Sequence, residues 1–190
     1  MGSSNSWGLL GTDGDHIEIA EYRPEWADIF ERERTVIIET CRPWVMEVHH
    51  VGSTSVPGLA AKPILDIIPV VANPVDGENA VEPMTRLGYR YRGDNGLPGR
   101  FYFDKIVDGR TVMHCHMYPQ DHSDVRKLVA FRDRLRTDRE TAKAYERLKR
   151  NLASKYRDDR VAYTDSKEAF VTSITAATLA DSQDGHEEER

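Results

Sequence analysis

The spacing of apolar and polar residues along this chain changes near residue 123. Before that point, short apolar or alternating runs predict strands at residues 17–20, 44–51, 64–71, 89–92, 100–107 and 110–118. Longer runs with helical spacing predict helices at residues 24–39 and 80–87. After residue 123 the helical spacing persists, and it predicts a final helix over residues 166–179. Strands mixed with helices and followed by a helical C-terminal third indicate an α/β (α+β) domain.

The predicted strand at residues 64–71 contains one acidic side chain, Asp66, within an otherwise apolar run. Such a run is typical of a strand that is buried on both faces of a sheet. A carboxylate is costly in that position unless it is paired, hydrogen-bonded or bound to a metal. Asp66 is therefore the first candidate for a functional residue.

The segment before this strand has the composition of a phosphate-binding turn. Gly52 and Ser53 begin it, and Thr54 and Ser55 follow. Glycine lets backbone N–H groups approach a phosphate closely, and a carboxylate on the next strand would hold a divalent cation that bridges the phosphates. The nucleotidyltransferase superfamily has this layout, with an acid-x-acid pair on the strand. Here Ile68 occupies the second acidic position, so the predicted site has one carboxylate.

His114 and His116 lie two residues apart on the predicted strand at residues 110–118, so their side chains point to the same face. If that face also carries Asp66, the two imidazoles and the carboxylate would bind a transition metal as a facial triad. His50 would join them as a further ligand. The alternative is a polar strand face whose histidines hydrogen-bond Asp66 or bind an anionic substrate, and the sequence leaves both interpretations open.

Four cationic residues near these segments would complete a site for an anionic ligand: Lys62, Arg100, Arg132 and Lys167. Arginine suits bidentate recognition of phosphate or carboxylate, and lysine acts as a point charge. Each of them also has an interpretation as a solvated surface charge or an ion-pair partner. Four further cations fall on the polar side of a predicted amphipathic helix, and we expect them to be solvated: Lys143, Arg147, Lys149 and Arg150.

Composition excludes several classes of protein. With 190 residues, 39% of them hydrophobic and 31% charged, the chain is typical of one soluble globular domain. No apolar run approaches the roughly 20 residues of a membrane-spanning helix. The formal charge of -6 makes nucleic acid an unlikely partner. Two cysteines, Cys41 and Cys115, are too few for a disulfide framework.

Three segments are predicted from local composition. Residues 1–15 are expected to be a flexible N-terminus, residues 16–180 a single domain, and residues 181–190 a disordered acidic tail. The N-terminus lacks the basic start and apolar run of a signal peptide, so we expect a cytoplasmic protein. The loop at residues 93–99 contains three glycines and would act as a lid over the site.

The run HVGSTSVPGLAAKPILDI resembles the signature of the GrpB family. The resemblance continues in HCHMY, LVAFRDRLR, AYERLKRNLA and YTDSKEAFV, and it covers the chain from about Glu18 to Ala176. It implies a nucleotidyltransferase-like mixed β-sheet flanked by helices, with the site at the Gly-Ser turn. It implies much less about the activity, because a fold alone does not establish chemistry.

Three functions follow from these residues, all with a small phosphorylated or otherwise anionic molecule as the partner. The first is nucleotidyl or phosphoryl transfer, with a divalent metal at Asp66. The second is a metal-dependent enzyme of another reaction class, with His114, His116 and Asp66 as ligands. The third is a binding module without catalysis. The cofactor would be Mg²⁺ or a transition metal, and the sequence leaves the oligomeric state open.

Overall fold

Five strands form one mixed sheet within the residues that this computed structural model describes, which are 6–12 and 16–187. In chain order they are β1 (Val45–Val51), β2 (Leu65–Val71), β3 (Tyr89–Tyr91), β4 (Phe101–Val107) and β5 (Arg110–Pro119). Their order across the sheet is β1-β2-β5-β4-β3. β2 and β5 are parallel, and the other neighbouring pairs are antiparallel. The inner positions of β2 and β5 explain why both strands are rich in apolar residues.

Helices cover both faces of this sheet. α1 (Glu25–Thr40) and α2 (Pro74–Arg86) pack against one face in a core that also contains Ile67 and Cys115. α3 (Ser123–Thr137), α4 (Arg139–Lys155) and α5 (Arg160–Glu187) form the C-terminal third and cover the other face. No helix in the described part of the chain is long and apolar enough to cross a membrane. The predicted mixed sheet flanked by helices, with a helical C-terminal third, is therefore confirmed.

The strand register brings the polar residues of the predicted site together. Asp66 on β2 lies opposite His114 on the parallel neighbour β5. His116 lies opposite Tyr102 on β4. Because residues two apart on a strand share a face, the carboxylate and both imidazoles project toward the C-terminal helices. The hairpin between β4 and β5 turns at Asp108 and Gly109, as predicted, and both have positive φ angles, of 50° and 77°.

Several predicted element boundaries were wrong for identifiable reasons. α2 begins at Pro74 rather than residue 80, because Asn73 caps it by accepting a hydrogen bond from the Asp76 N–H at 3.1 Å. α5 begins at Arg160 rather than residue 166, and Asp159 accepts a hydrogen bond from the Ala162 N–H at its first turn. The predicted strand at residues 17–20 is reduced to a single bridge at its last residue.

The chain ends also differ from the prediction. Residues 6–12 pack on the domain: Leu10 is 2% exposed in the core, and the Gly11 N–H donates to the Pro63 carbonyl at 2.7 Å. This segment begins with a short 3-10 helix, Ser6–Leu9. α5 continues to Glu187, into the predicted disordered tail. The remaining residues of the two predicted flexible ends, 1–5, 13–15 and 188–190, lie outside the described residues.

Candidate functional site

A cavity of about 690 Å³ lies between the sheet and the C-terminal helices. The Gly-Ser turn and the polar face of β2 and β5 line one side of it. We call Asp66, His114 and His116 the strand wall. We call the cationic residues contributed by α4 and α5, which are Lys149, Arg160 and Lys167, the helical wall. Two further cations that the sequence singled out also line the cavity: Lys62 and Arg100.

The carboxylate of Asp66 is the centre of the strand wall. Its Oδ1 atom lies 3.2 Å from His114 Nδ1 and 3.9 Å from His116 Nε2. Desolvation alone would raise the pKa of Asp66, but the hydrogen bond from His114 and the nearby His116 hold that pKa well below its usual range. The carboxylate is therefore ionised at neutral pH. Its side chain is still 34% exposed, so it faces the cavity.

Two arginines determine which ring nitrogen of each histidine carries the proton. Arg160 Nη2 lies 2.9 Å from His114 Nε2, and Arg100 Nη1 lies 3.3 Å from His116 Nδ1. A guanidinium only donates hydrogen bonds, so both of these ring nitrogens accept. The protons then sit on the nitrogens that face Asp66. Burial, aided by Arg160, lowers the pKa of His114, so its imidazole is neutral.

This arrangement does not fit a transition metal held by the strand wall. A metal needs a ring nitrogen with a lone pair, and those lone pairs point at Arg160 and Arg100 instead of at Asp66. Among residues 6–12 and 16–187, no group of three or more His, Cys, Asp or Glu side chains is placed to hold a metal ion. The structure therefore supports the alternative from the sequence, a polar face in which His114 hydrogen-bonds Asp66 and His116 lies beside it.

His50 was expected to be a further metal ligand, and the structure places it elsewhere. It lies opposite Ile67 on β2, one position away from Asp66, and so projects from the other face of the sheet. Its ring stacks on Phe30 with centroids 4.7 Å apart, and its Nε2 lies 3.0 Å from Thr54 Oγ1. Burial lowers the pKa of His50 to about 3, so it is a neutral core residue.

The Gly-Ser turn touches the cavity through three of its four predicted residues, Gly52, Ser53 and Thr54. Gly52 has a φ of 67°, and a Cβ atom built there would lie 2.4 Å from Asp66 Oδ2. Glycine is therefore required both by the backbone conformation and by the nearby carboxylate. Ser55 is buried outside the cavity lining, where its Oγ donates to the Gly52 carbonyl at 2.6 Å and closes the turn.

Arg132 was expected to bind an anionic ligand, but it is not part of the cavity lining. Its Nη1 donates to the His50 carbonyl at 3.1 Å, and its Nε pairs with Asp133 at 2.7 Å. Arg136, one turn later on α3, donates twice to the Ser55 carbonyl. Both arginines hold the end of β1 and the Gly-Ser turn against α3, which is a structural role.

Lys149 was expected to be solvated, and this expectation was wrong. The side chain is 2% exposed and lines the cavity, with its Nζ donating to the Ala60 carbonyl. Burial and the neighbouring charge of Lys167 lower the pKa of Lys149 to about 7. Burial and Lys62 lower the pKa of Lys167 to about 8. The polar side of α4 thus faces a cavity, which hydrophobic periodicity alone cannot distinguish from solvent.

Arg160 is a site residue that the sequence analysis missed. It is the first residue of α5, six positions before the predicted start of that helix, and it lies three residues before the segment YTDSKEAFV, which resembles the family. The Asp-Asp pair before it, Asp158 and Asp159, is the signal that would have located the helix start. A correct start places Arg160 at the mouth of the cavity, within reach of His114.

Comparison with known proteins identifies the family. The model of the GrpB protein family matches residues 16–177. The chain belongs to the GrpB family. The crystal structure of the conserved protein GrpB from Enterococcus faecalis superimposes with a TM-score of 0.81 at 34% identity, covering 87% of this chain and 99% of that one. The GrpB-type sheet and C-terminal helices described above are therefore shared with a solved relative.

Two curated relatives are similar to this chain in sequence. The UPF0157 protein YqkA of Bacillus subtilis (strain 168) is 36% identical over 155 residues, which are 82% of this chain and 45% of that protein. This chain thus spans less than half the length of YqkA. The glutamate-rich protein GrpB of Alkalihalophilus pseudofirmus is 29% identical over 172 residues, which are 87% of this chain and 98% of that protein.

Solved structures outside the family show a weaker similarity. The Cid1 poly(U) polymerase superimposes with a TM-score of 0.48 at 8% identity, over 72% of this chain and 43% of that one. At this level of similarity, nothing about activity passes from that protein to the GrpB chain. The function has to be argued from the cavity itself.

Proposed function

We propose that this chain binds a small phosphorylated molecule in the cavity and transfers a nucleotidyl or phosphoryl group to or from it. The observation that carries the proposal is the charge of the lining. Two carboxylates, Asp66 and Asp165, line the cavity together with five cationic side chains: Lys62, Arg100, Lys149, Arg160 and Lys167. A concave site with such an excess of cations favours a ligand with several negative charges.

The shape of the lining favours phosphate over other anions. Gly52 brings backbone close to the cavity without a side chain in the way, and Ser53 adds a hydroxyl donor. Arg100 and Arg160 offer planar, multiply donating groups, and the lysines offer point charges. In phosphoryl transfer most of the catalysis comes from positioning and from neutralising charge, which this set of residues is suited to do.

Asp66 is the residue that would act on the reacting group. His114 and His116 orient its Oδ1 atom, and its exposed part faces the bound phosphate. Mg²⁺ is usually held by one or two carboxylates together with substrate phosphates, so a divalent ion that enters with the ligand is compatible with a single aspartate. Such an ion would neutralise charge on the transferred group. Asp66 itself, which stays ionised, positions the ligand and the divalent ion that enters with it.

A thermal-shift screen of the purified protein tests the proposal. The ligands are nucleoside triphosphates, sugar phosphates and pyrophosphate, each with and without Mg²⁺. The wild type is compared with Lys149→Met and with Lys143→Met, a matched control on the exposed side of α4. We expect at least one phosphorylated ligand to raise the melting temperature of the wild type and of Lys143→Met, and to do so much less for Lys149→Met.

Two outcomes would count against the proposal in different ways. If no phosphorylated ligand shifts the melting temperature, the cavity is not a phosphate site. If a ligand binds but a long incubation with acceptors yields no product, the chain is the non-catalytic binding module of the third hypothesis. The second hypothesis, a metal enzyme, requires a transition metal in the purified protein that is lost in His114→Ala/His116→Ala.

A further inference from the structure

A second cavity, of about 470 Å³, adjoins the first and differs from it in chemistry. It lies between β5, α3 and α5. Its walls are mainly apolar and include Leu128, Phe131, Val171 and Leu179. Small-molecule sites are typically concave, mostly apolar and of about 300–1,000 Å³. The second cavity therefore has the character of a binding site.

The two cavities are joined by shared residues. Arg100 and His116 line both of them. The Arg100 guanidinium donates to the backbone carbonyls of Asp94 and Asn95 at 3.0 and 2.9 Å, and it lies 4.9 Å from the centroid of the Tyr102 ring. These acceptors are neutral, so they fix the guanidinium at the junction without neutralising it. A ligand that crosses the junction would meet a positive charge on one side and apolar walls on the other.

The glycine-rich loop at residues 93–99 contributes to both sides of this junction. Leu97 lines the second cavity and is 45% exposed, whereas Asn95 lines the first. An exposed leucine at the mouth of an apolar cavity would lose its contact with water when a ligand covers it. One loop thus presents an apolar group to one cavity and holds a cation between the two.

We propose that the second cavity holds the apolar part of the same molecule whose phosphate binds in the first, so that the ligand is a phosphate ester of an aliphatic or aromatic alcohol. This inference rests on the proposed function and deepens it. The continuity of the two cavities through Arg100 and His116 is the reason for assigning them to one ligand instead of two. The phosphate lies among the cations, and the ester oxygen lies beside Arg100.

The test is calorimetric titration of the full chain with inorganic phosphate and with methyl, butyl, hexyl and phenyl phosphate. Because each buried CH₂ contributes about fourfold to an equilibrium constant, we expect the Kd to fall by about fourfold for each added methylene until the cavity is full. Two matched variants on α5 locate the effect. Ala176 lines the second cavity, and its neighbour Ala177 is exposed outside the lining.

In Ala176→Trp the indole would occupy the second cavity, so hexyl phosphate should bind no more tightly than methyl phosphate. Inorganic phosphate should bind to this variant as it does to the wild type, because the first cavity is unchanged. Ala177→Trp should retain the full dependence on chain length. This pattern would support one ligand that spans both cavities.

The remaining outcomes overturn the inference. If the Kd of the wild type did not depend on the length of the alkyl chain, the inference would be overturned and the proposed function would stand. Failure of every phosphate compound to bind would remove the proposed function together with the inference. Equal binding of hexanol and hexyl phosphate would show that the second cavity takes a separate apolar molecule. A change of oligomeric state in Ala176→Trp, measured by sedimentation, would show that it is an interface between copies.

Discussion

The strand wall and the helical wall of the first cavity are both charged, but they differ in how their charges are compensated. In the strand wall, Asp66 accepts a hydrogen bond from His114 and lies 3.9 Å from His116, and an arginine contacts each imidazole. In the helical wall, burial lowers the pKa of both Lys149 and Lys167, and the charge of Lys167 lowers the pKa of Lys149 further. The carboxylate of the strand wall is therefore held in its charged form by its neighbours, whereas burial and cationic neighbours disfavour the charged form of the two lysines in the helical wall.

This difference assigns a separate task to each wall. A compensated and oriented carboxylate suits chemistry, because its position and protonation state are set before a ligand arrives. A group of buried cations suits binding, because an anion relieves their mutual repulsion. The strand wall should therefore control turnover, and the helical wall should control affinity.

The largest expected effect is on catalytic activity, and it should differ between variants of the two walls. Asp66→Asn should lower any transfer activity by about 100-fold or more, because the reacting group loses its carboxylate. The same change removes a negative charge from a cationic cavity, so phosphate should bind at least as tightly as before. Lys149→Met should do the opposite, with a weaker Kd and a smaller loss of kcat. Steady-state kinetics and titration calorimetry on both variants measure these effects. The assignment would be contradicted if Asp66→Asn mainly weakened binding and Lys149→Met mainly lowered kcat.

The second largest expected effect is a pH dependence of stability that comes from the helical wall. The pKa of Lys149 is about 7 in the folded chain against an ordinary value of 10.5. Between these values the unfolded state binds the additional proton, so the free energy of unfolding should rise as the pH increases from 7 to 10. Over this pH range the deprotonation of Lys149 should add about 3 kcal/mol to the free energy of unfolding. Denaturant unfolding across this range should show that slope in the wild type and a reduced slope in Lys149→Met.

The exposed neighbour Lys143 supplies the control for that measurement. It lies on the same helix and pairs with Glu140 at 3.0 Å on the surface. Lys143→Met should therefore keep the slope of the wild type. If the slope persists in Lys149→Met, the lysine is charged in the folded state, and the helical wall is already compensated.

Substitution of Gly52 should test whether the Asp66 carboxylate can move away from its histidines. In Gly52→Ala the new Cβ atom would lie 2.4 Å from Asp66 Oδ2, so the carboxylate would have to leave its histidines. Gly58 also has a positive φ, of 78°, but a Cβ there meets nothing within 4 Å. Gly52→Ala should therefore lose about 2 kcal/mol more stability than Gly58→Ala. Equal losses in denaturant unfolding would show that Asp66 is free to move.

The smallest expected effect is proton uptake on binding. At pH 8 much of Lys149 and part of Lys167 are neutral in the free protein, since their pKa values are about 7 and 8. A bound phosphate raises both pKa values, so about one proton should be taken up. Calorimetry in buffers with different ionisation enthalpies measures this number. Heats that do not depend on the buffer would mean that the phosphate binds away from the helical wall.

Much of the strand wall was predictable because strands have a local period of two. Asp66 was recognised as a carboxylate in an apolar strand, and the spacing of His114 and His116 set them on one face. The parallel pairing of β2 and β5 then brought these residues together as expected. The same reasoning was wrong for His50, because the strand register, which the sequence did not reveal, turns it to the other face.

The residues alone predicted the family, the mixed fold, the Gly-Ser turn and the residues of the strand wall. The packing of the folded chain sets which nitrogen of each histidine faces Asp66, because that depends on Arg100 and Arg160, which lie outside the strand that carries both histidines. It also decided that Lys149 is buried and Arg132 is structural. Periodicity assigns a residue to a side of its own helix, but burial and charge depend on what packs against that side.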